Sequence, residues 1–322
     1  IALAGCLKDK AFDNGEIQSG SGHTSTIQVV SIGLTVSNTS NFLVASFDNS
    51  NNDTTINLVP IELGGTSAAS QDIHVTLVAN NTLIDDYNLA NTDTTVTPTN
   101  PDPTGVVTHY IPAPSTVYTV TSLIVIIPKG SRTGYLQIKF KPSDFLGKGY
   151  AVAYTISSVA EAGYTISGNL QNGIVAIGIK NEFDADYTVT GWFFHPAAGR
   201  AISLTKHLST ASAIGLTGGL GDLGSPFTFN VVNNQLVWVN GPYTGVGSNG
   251  FMTIDNPGGV DYSSATNAGH VPGDAIYNST IYNNTYDPAT QTFYMHYGYN
   301  AGVLNGGQGS FTRQVYEKWV RQ

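Results

Sequence analysis

The tract Trp238-Val239-Asn240-Gly241-Pro242-Tyr243 sets a strand-type aromatic and a second ring on either side of a tight turn. The segment from Asn240 to Thr285 adds Phe251, Tyr262, Tyr277 and Tyr282 among Gly, Asn, Ser and Asp, with little regular patterning. Indole and phenol faces stack on the C–H faces of sugar rings, while Asn, Asp and Gln make the planar hydrogen bonds that hydroxyls need. Trp238, Tyr243, Tyr262 and Tyr277 are therefore the candidate glycan-binding residues; Trp192 and Trp319 stand in strand-like runs and are assigned to core. Catalytic signals are weaker. Gly65-Thr66-Ser67-Ala68-Ala69 holds a serine among small residues, but no matching Asp and His segments accompany it. Neither H-E-x-x-H, a P-loop nor a dinucleotide fingerprint occurs. Asp184-Ala185-Asp186 reads as a solvated pair, and the Asp48–Asp53 loop lacks the sixth-position Gly and twelfth-position Glu of a calcium loop. His23 reads as a linker residue and His74 as surface. Cys6 is the sole cysteine, so disulfides and thiolate metal clusters are excluded. No catalytic residue, metal or cofactor is expected.

The elements that must position these rings are strands. The chain has 322 residues, enough for two domains, and only 11% of them are charged. A net charge of −9 with 13 Lys and Arg in total leaves no basic surface for nucleic acid. Residues 7–26 are polar, Gly/Ser-rich and aperiodic, as in a flexible spacer. From Ile27 apolar residues alternate: Val30, Ile32, Leu34, then Ile73, Val75, Leu77, then Leu136, Ile138, Phe140, then Val152, Tyr154, Ile156. Asn80-Asn81-Thr82 offers caps for a short helix over Leu83–Ala90. One strand is expected over Val117–Ile127. Residues 27–180 thus read as an immunoglobulin-like β-sandwich with one inserted helix. The pattern restarts near Lys180, and in 181–322 strands are expected at Tyr187–Phe194, Phe227–Val232, Gln235–Val239, Thr292–Tyr299 and Phe311–Arg321. Asn233-Asn234 marks a two-residue hairpin. This half reads as an antiparallel, lipocalin-like β-barrel or meander, making the fold all-β. The stretch is too short for a (β/α)8 barrel, which needs ~200 residues or more.

Tyr87-Asn88-Leu89-Ala90-Asn91, Ile127-Pro128-Lys129-Gly130 and Gly147-Lys148-Gly149-Tyr150, in that order, resemble a domain of unknown function in surface lipoproteins of starch-utilisation-type systems. The likeness covers about residues 27–179, and the same module precedes the catalytic barrel of family-18 endo-β-N-acetylglucosaminidases. YDPATQTFYMHYGYN resembles, more loosely, the second domain of those lipoproteins. Residues 1–6, Ile-Ala-Leu-Ala-Gly-Cys, are similar to the end of a bacterial signal peptide and its lipobox. The resemblance implies lipidation at Cys6, an outer-membrane, cell-surface location with the periplasmic face as the other option, and capture of oligosaccharide or polysaccharide beside an outer-membrane transporter complex. A structural or adhesive lipoprotein that binds no sugar is the alternative.

Overall fold

The computed structural model describes residues 28–34, 36–37, 40–65, 67–91, 110–219, 221, 226–240, 250–256, 260–262, 265–302 and 310–322. Cys6, the 7–26 spacer and Tyr243 lie outside the described residues. The chain divides into two compact units, Ile1–Ile179 and Lys180–Gln322.

In the first unit the strands are β1 (Gln28–Ile32), β2 (Val36–Ser37), β3 (Ser40–Asp48), β4 (Thr54–Leu63), β5 (Ile73–Ala79), β6 (Ile111–Pro112), β7 (Tyr118–Val120), β8 (Ile124–Ile127), β9 (Thr133–Phe140), β10 (Tyr150–Val159), β11 (Tyr164–Ile166) and β12 (Asn172–Lys180). One helix, α1 (Thr82–Ala90), follows β5. Two sheets, ordered β11-β1-β4-β9-β7 and β2-β3-β12-β10-β5-β8, face each other as a sandwich. Period-two alternation puts Val30, Ile61 and Ile138 of one sheet and Val75, Val152 and Val175 of the other into one shared core. β10 and β12 are buried on both faces, because α1 lies on the outer side over Ala151, Ala153 and Ala176, residues small enough to let a helix approach. Asn88 ties α1 down, donating from Nδ2 to the Tyr110 carbonyl at 2.8 Å and accepting the Tyr110 N–H at 3.0 Å.

Two local expectations are corrected here. Asn81 stands at the N-cap without a side-chain cap bond, and Asn80 donates to Thr155 Oγ1 instead. Val117–Ile127 is two strands, not one: β7 pairs with β9 in the first sheet and β8 with β5 in the second. Ser122 Oγ makes the crossing, bonding both the N–H and the carbonyl of Ile124.

The second unit holds β13 (Ala185–Phe194), β14 (Arg200–Thr210), β15 (Gly215–Gly219), β16 (Pro226–Val232), β17 (Gln235–Asn240), β18 (Gly250–Phe251), β19 (Thr285–Asp287), β20 (Thr292–Gly302) and β21 (Ser310–Arg321). Each strand pairs antiparallel with the next around the ring β13-β14-β15-β16-β17-β19-β20-β21, and β21 returns to β13, closing an eight-stranded barrel. Closure removes the sheet edges that an open meander would leave to be covered. Asn233 and Asn234 both adopt positive φ, 50° and 63°, the geometry of a type I′ hairpin between β16 and β17. The seam β17–β19 is the thinnest part, one ladder pair at Gln235 and Thr285 flanked by Leu236 N–H to Asn284 O and Tyr286 N–H to Asn234 O.

Alternate residues fill the bore with rings, among them Tyr187, Phe193, Phe227, Phe229, Phe293, Tyr297 and Trp319. Trp319 is fully buried, as expected of core. One ion pair sits among these rings. Glu317, 0% exposed, meets Lys206 Nζ at 2.5 Å and accepts from the Tyr297 hydroxyl at 2.8 Å and Trp319 Nε1 at 3.0 Å. Lys206 also donates to the Gly219 carbonyl and lies over the Trp319 ring at 4.6 Å. Among the described residues no helix is long and apolar enough to cross a membrane.

Candidate functional site

The aromatic loop expected to carry function forms part of the wall of the second unit. Between β18 and β19 the chain lies over the outer side of β13, β20 and β21, where Phe194, Tyr262, Tyr282 and Tyr316 are buried and Trp192, Val260 and Tyr277 pack half-buried against them. With almost no ladder to hold it, this segment is stapled by Asn and Asp side chains, which bond backbone groups at short range. Asn267, fully buried, donates to the carbonyls of His195 and Tyr262, both at 3.0 Å. Asp255 accepts from Ser279 N–H at 2.6 Å and from the Tyr316 hydroxyl at 3.0 Å. Asn284 accepts the His296 N–H and donates to Met252 O.

One part of this layer reaches solvent. Trp192, His270 and Tyr277 form a triangle of half-buried rings, with centroids 4.9 Å apart for Trp192 and His270, 5.0 Å for His270 and Tyr277, and 6.0 Å for Trp192 and Tyr277. Asp274 fixes two of the three. Its Oδ1 accepts the N–H groups of Ile276 and Tyr277, both at 2.7 Å, and its Oδ2 meets His270 Nδ1 at 3.1 Å. Burial by itself would raise the Asp274 carboxyl, but these donors hold it below the ordinary carboxylate value. Burial, with Asp274 beside it, pushes the Tyr277 hydroxyl up, so it stays a neutral donor. Among the described residues Trp192 Nε1 is buried without a hydrogen-bond partner. Half-buried rings beside a carboxylate make a surface suited to a neutral, hydroxyl-rich ligand.

Of the sequence candidates, Trp238, Tyr262 and Tyr277 fall within the described residues, and Tyr277 is the one of these three that belongs to the triangle. Trp238 is half-buried on the bore side of β17, stacked on Phe227 at 5.8 Å and edge-on to Phe251 at 5.6 Å. Tyr262 is on the opposite side of the barrel wall and 2% exposed; its hydroxyl, pushed up to about 12 by burial, accepts from Gln314 Nε2. It therefore presents no ring face to solvent. Trp192 and His270 were not among the candidates, although the run Trp192-Phe193-Phe194 carried a signal: three successive rings on one strand require cover on both faces. Asp184 is also corrected, since its side chain is 9% exposed, accepts from Thr210 N–H and Oγ1, and meets His207, which bridges to Asp186. His74 Nδ1 lies 2.7 Å from Glu161 Oε1, within hydrogen-bond distance. The Asp48–Asp53 loop is a turn, with Asn52 N–H on Ser50 Oγ and Asp53 paired to Lys139.

A family model described as an N-terminal domain matches residues 25–163, within the stretch where the sequence motifs lie. No curated protein matches significantly. Among solved structures, a protein of unknown function from Bacteroides ovatus is similar over 92% of this chain and 95% of its own, at 14% identity and a TM-score of 0.45. An auxiliary nutrient binding protein from Bacteroides thetaiotaomicron is similar over 86% and 89%, at 15% identity and a TM-score of 0.35. EndoBT-3987 of the same organism, solved with a Man5GlcNAc product, is similar over 47% of this chain and 30% of its own, at 16% identity and a TM-score of 0.30.

Proposed function

With residues 25–163 taken as a domain of that family, we propose that the chain is a non-catalytic surface lipoprotein, held at the outer membrane through Cys6, that captures oligosaccharide or polysaccharide for an uptake system. The observation that supports this reading is the Trp192–His270–Tyr277 triangle: three half-buried rings at 4.9–6.0 Å, two of them fixed by Asp274. Such rings lose little freedom when a sugar stacks on them, which keeps the cost of ordering low. The test is a glycan array with the chain from Lys8 onward, followed by titration of Tyr277→Ala. The Tyr277 ring also packs half-buried on Phe194, Tyr282 and Tyr316, so the variant should melt somewhat lower, and affinity is compared well below its own transition. Affinity for the captured glycan should fall about ten- to a hundredfold, as for an aromatic hot spot. No glycan bound at millimolar concentration would favour a structural or adhesive surface protein instead. Replacement of Cys6 by Ala should release the protein from membranes.

A further inference from the structure

We propose that the first unit carries a separate site, a cavity for one neutral, polyhydroxylated ring of monosaccharide size. It does not depend on the ring triangle of the second unit. The cavity, of about 290 Å³, opens between α1, β3 and the start of β12. Small-molecule pockets begin at roughly 300 Å³, so there is room for a single ring and not for a chain.

Asn41 of β3, 9% exposed, points to the ligand class. Its Nδ2 donates to two carbonyls, Ile32 O at 2.9 Å and Asn172 O at 3.0 Å, so the amide cannot be turned over without setting oxygen against oxygen. Oδ1 is thereby committed as an acceptor, and among the described residues it is buried with no donor. Buried acceptors left in this state are rare. A ligand hydroxyl would supply the missing donor once the cavity wall shifts to bring this oxygen into reach. Two further amides line the same cavity in the complementary sense: Asn172 Oδ1 is taken by Thr155 Oγ1 and Asn169 Oδ1 by Ser167 Oγ, which leaves Nδ2 the donor at each.

The remaining walls fit a sugar as well. Tyr87 is braced by Phe42, stacked at 4.3 Å and 8°, and Ile174 adds an apolar surface. Among the described residues the lining contains Asp86 and no Lys, Arg or His, which disfavours sugar acids and phosphorylated sugars. A cation would call for several carboxylates, and the lining has one.

The experiment titrates the full chain with glucose, galactose, mannose, N-acetylglucosamine and glucuronate by saturation-transfer NMR up to tens of millimolar. Ala90→Trp fills the cavity from an exposed turn of α1, and Asp86→Asn, also exposed, removes an acceptor without touching the core. The expected result is binding of at least one neutral sugar, weakened tenfold or more by Ala90→Trp and several-fold by Asp86→Asn, with melting unchanged. Tyr277→Ala should leave this binding intact, which separates the site from the proposed glycan platform. An oligosaccharide ending in the same sugar, compared with the free sugar, tells whether a chain end or a monosaccharide is taken. Failure of every neutral sugar to bind, equal binding of glucuronate, or indifference to both cavity variants would overturn the proposal.

Discussion

Replacing Glu317 by Gln should destabilise the second unit out of proportion to the change in shape. The carboxylate is fully buried and holds three donors, the Lys206 ammonium at 2.5 Å, the Tyr297 hydroxyl and Trp319 Nε1. Gln keeps one oxygen for the neutral donors but cancels the charge facing Lys206, whose side chain is 8% exposed. Removing one member of a buried pair costs about 3–5 kcal/mol, because the other charge stays desolvated. Lys206 keeps the Gly219 carbonyl and the Trp319 face, so the lower end, about 3 kcal/mol, applies. For a unit of this size that corresponds to a fall in Tm of roughly 10–15 °C. The decisive measurement is a double-mutant cycle by urea unfolding. Lys206→Met added to Glu317→Gln removes the stranded ammonium and should regain at least ~1 kcal/mol over Glu317→Gln alone. If Glu317→Gln costs under about 0.5 kcal/mol, or if the two changes simply add, the ion pair does not hold the bore together and the reasoning fails.

Two further outcomes follow from the barrel wall. His296 stacks on Tyr316 at 3.9 Å, contacts Gln314 through Nε2, and is pushed down to about 4 by burial, only partly countered by Gln314 and Asp255; the unfolded chain takes up that proton near 6.5 and the folded one only near 4, so the stabilisation is complete above pH 6.5 and fades as pH falls towards 4. The loss amounts to about 3 kcal/mol, and unfolding curves for His296→Phe should lack that slope; identical pH profiles for the two proteins would contradict it. Gly191 lies opposite Glu317 in the β13–β21 pairing, and a Cβ there would fall 1.9 Å from the Tyr316 carbonyl oxygen. Gly191→Ala must therefore push apart the two strands that close the barrel, at about 2–3 kcal/mol, and a melting temperature within 2 °C or so of the parent would show that the wall gives way freely.

Alternation made most strands legible before any coordinates, because a one-residue slip would turn a whole apolar set to the wrong face. β14 and β15 escaped for identifiable reasons. In β14 the inward set Ile202, Leu204, Lys206, Leu208 is broken by a lysine, which makes sense only once Glu317, far along the chain, is known to face it. β15 is Gly-Leu-Thr-Gly-Gly, poor in strand formers, yet Gly218 is needed where a Cβ would meet Leu208 Cδ2 at 2.7 Å. Both are tertiary facts with no local trace.

The placement of the candidate rings was less legible, and parity along the strand is what decides it for Trp238. Leu236 and Trp238 are two apart on β17, so a buried Leu236 commits Trp238 to the bore. The informative tract was Trp192-Phe193-Phe194. On a half-buried strand one ring in two faces water, so three in succession imply that something covers the second face. The long segment between β18 and β19, rich in Tyr, Asn and Asp, has the rings to pack there and the short polar side chains to staple itself without a ladder. Its aromatics were therefore mostly bound to be core, and a ligand surface was to be sought where that cover thins, at Trp192, His270 and Tyr277, whose rings remain half-buried.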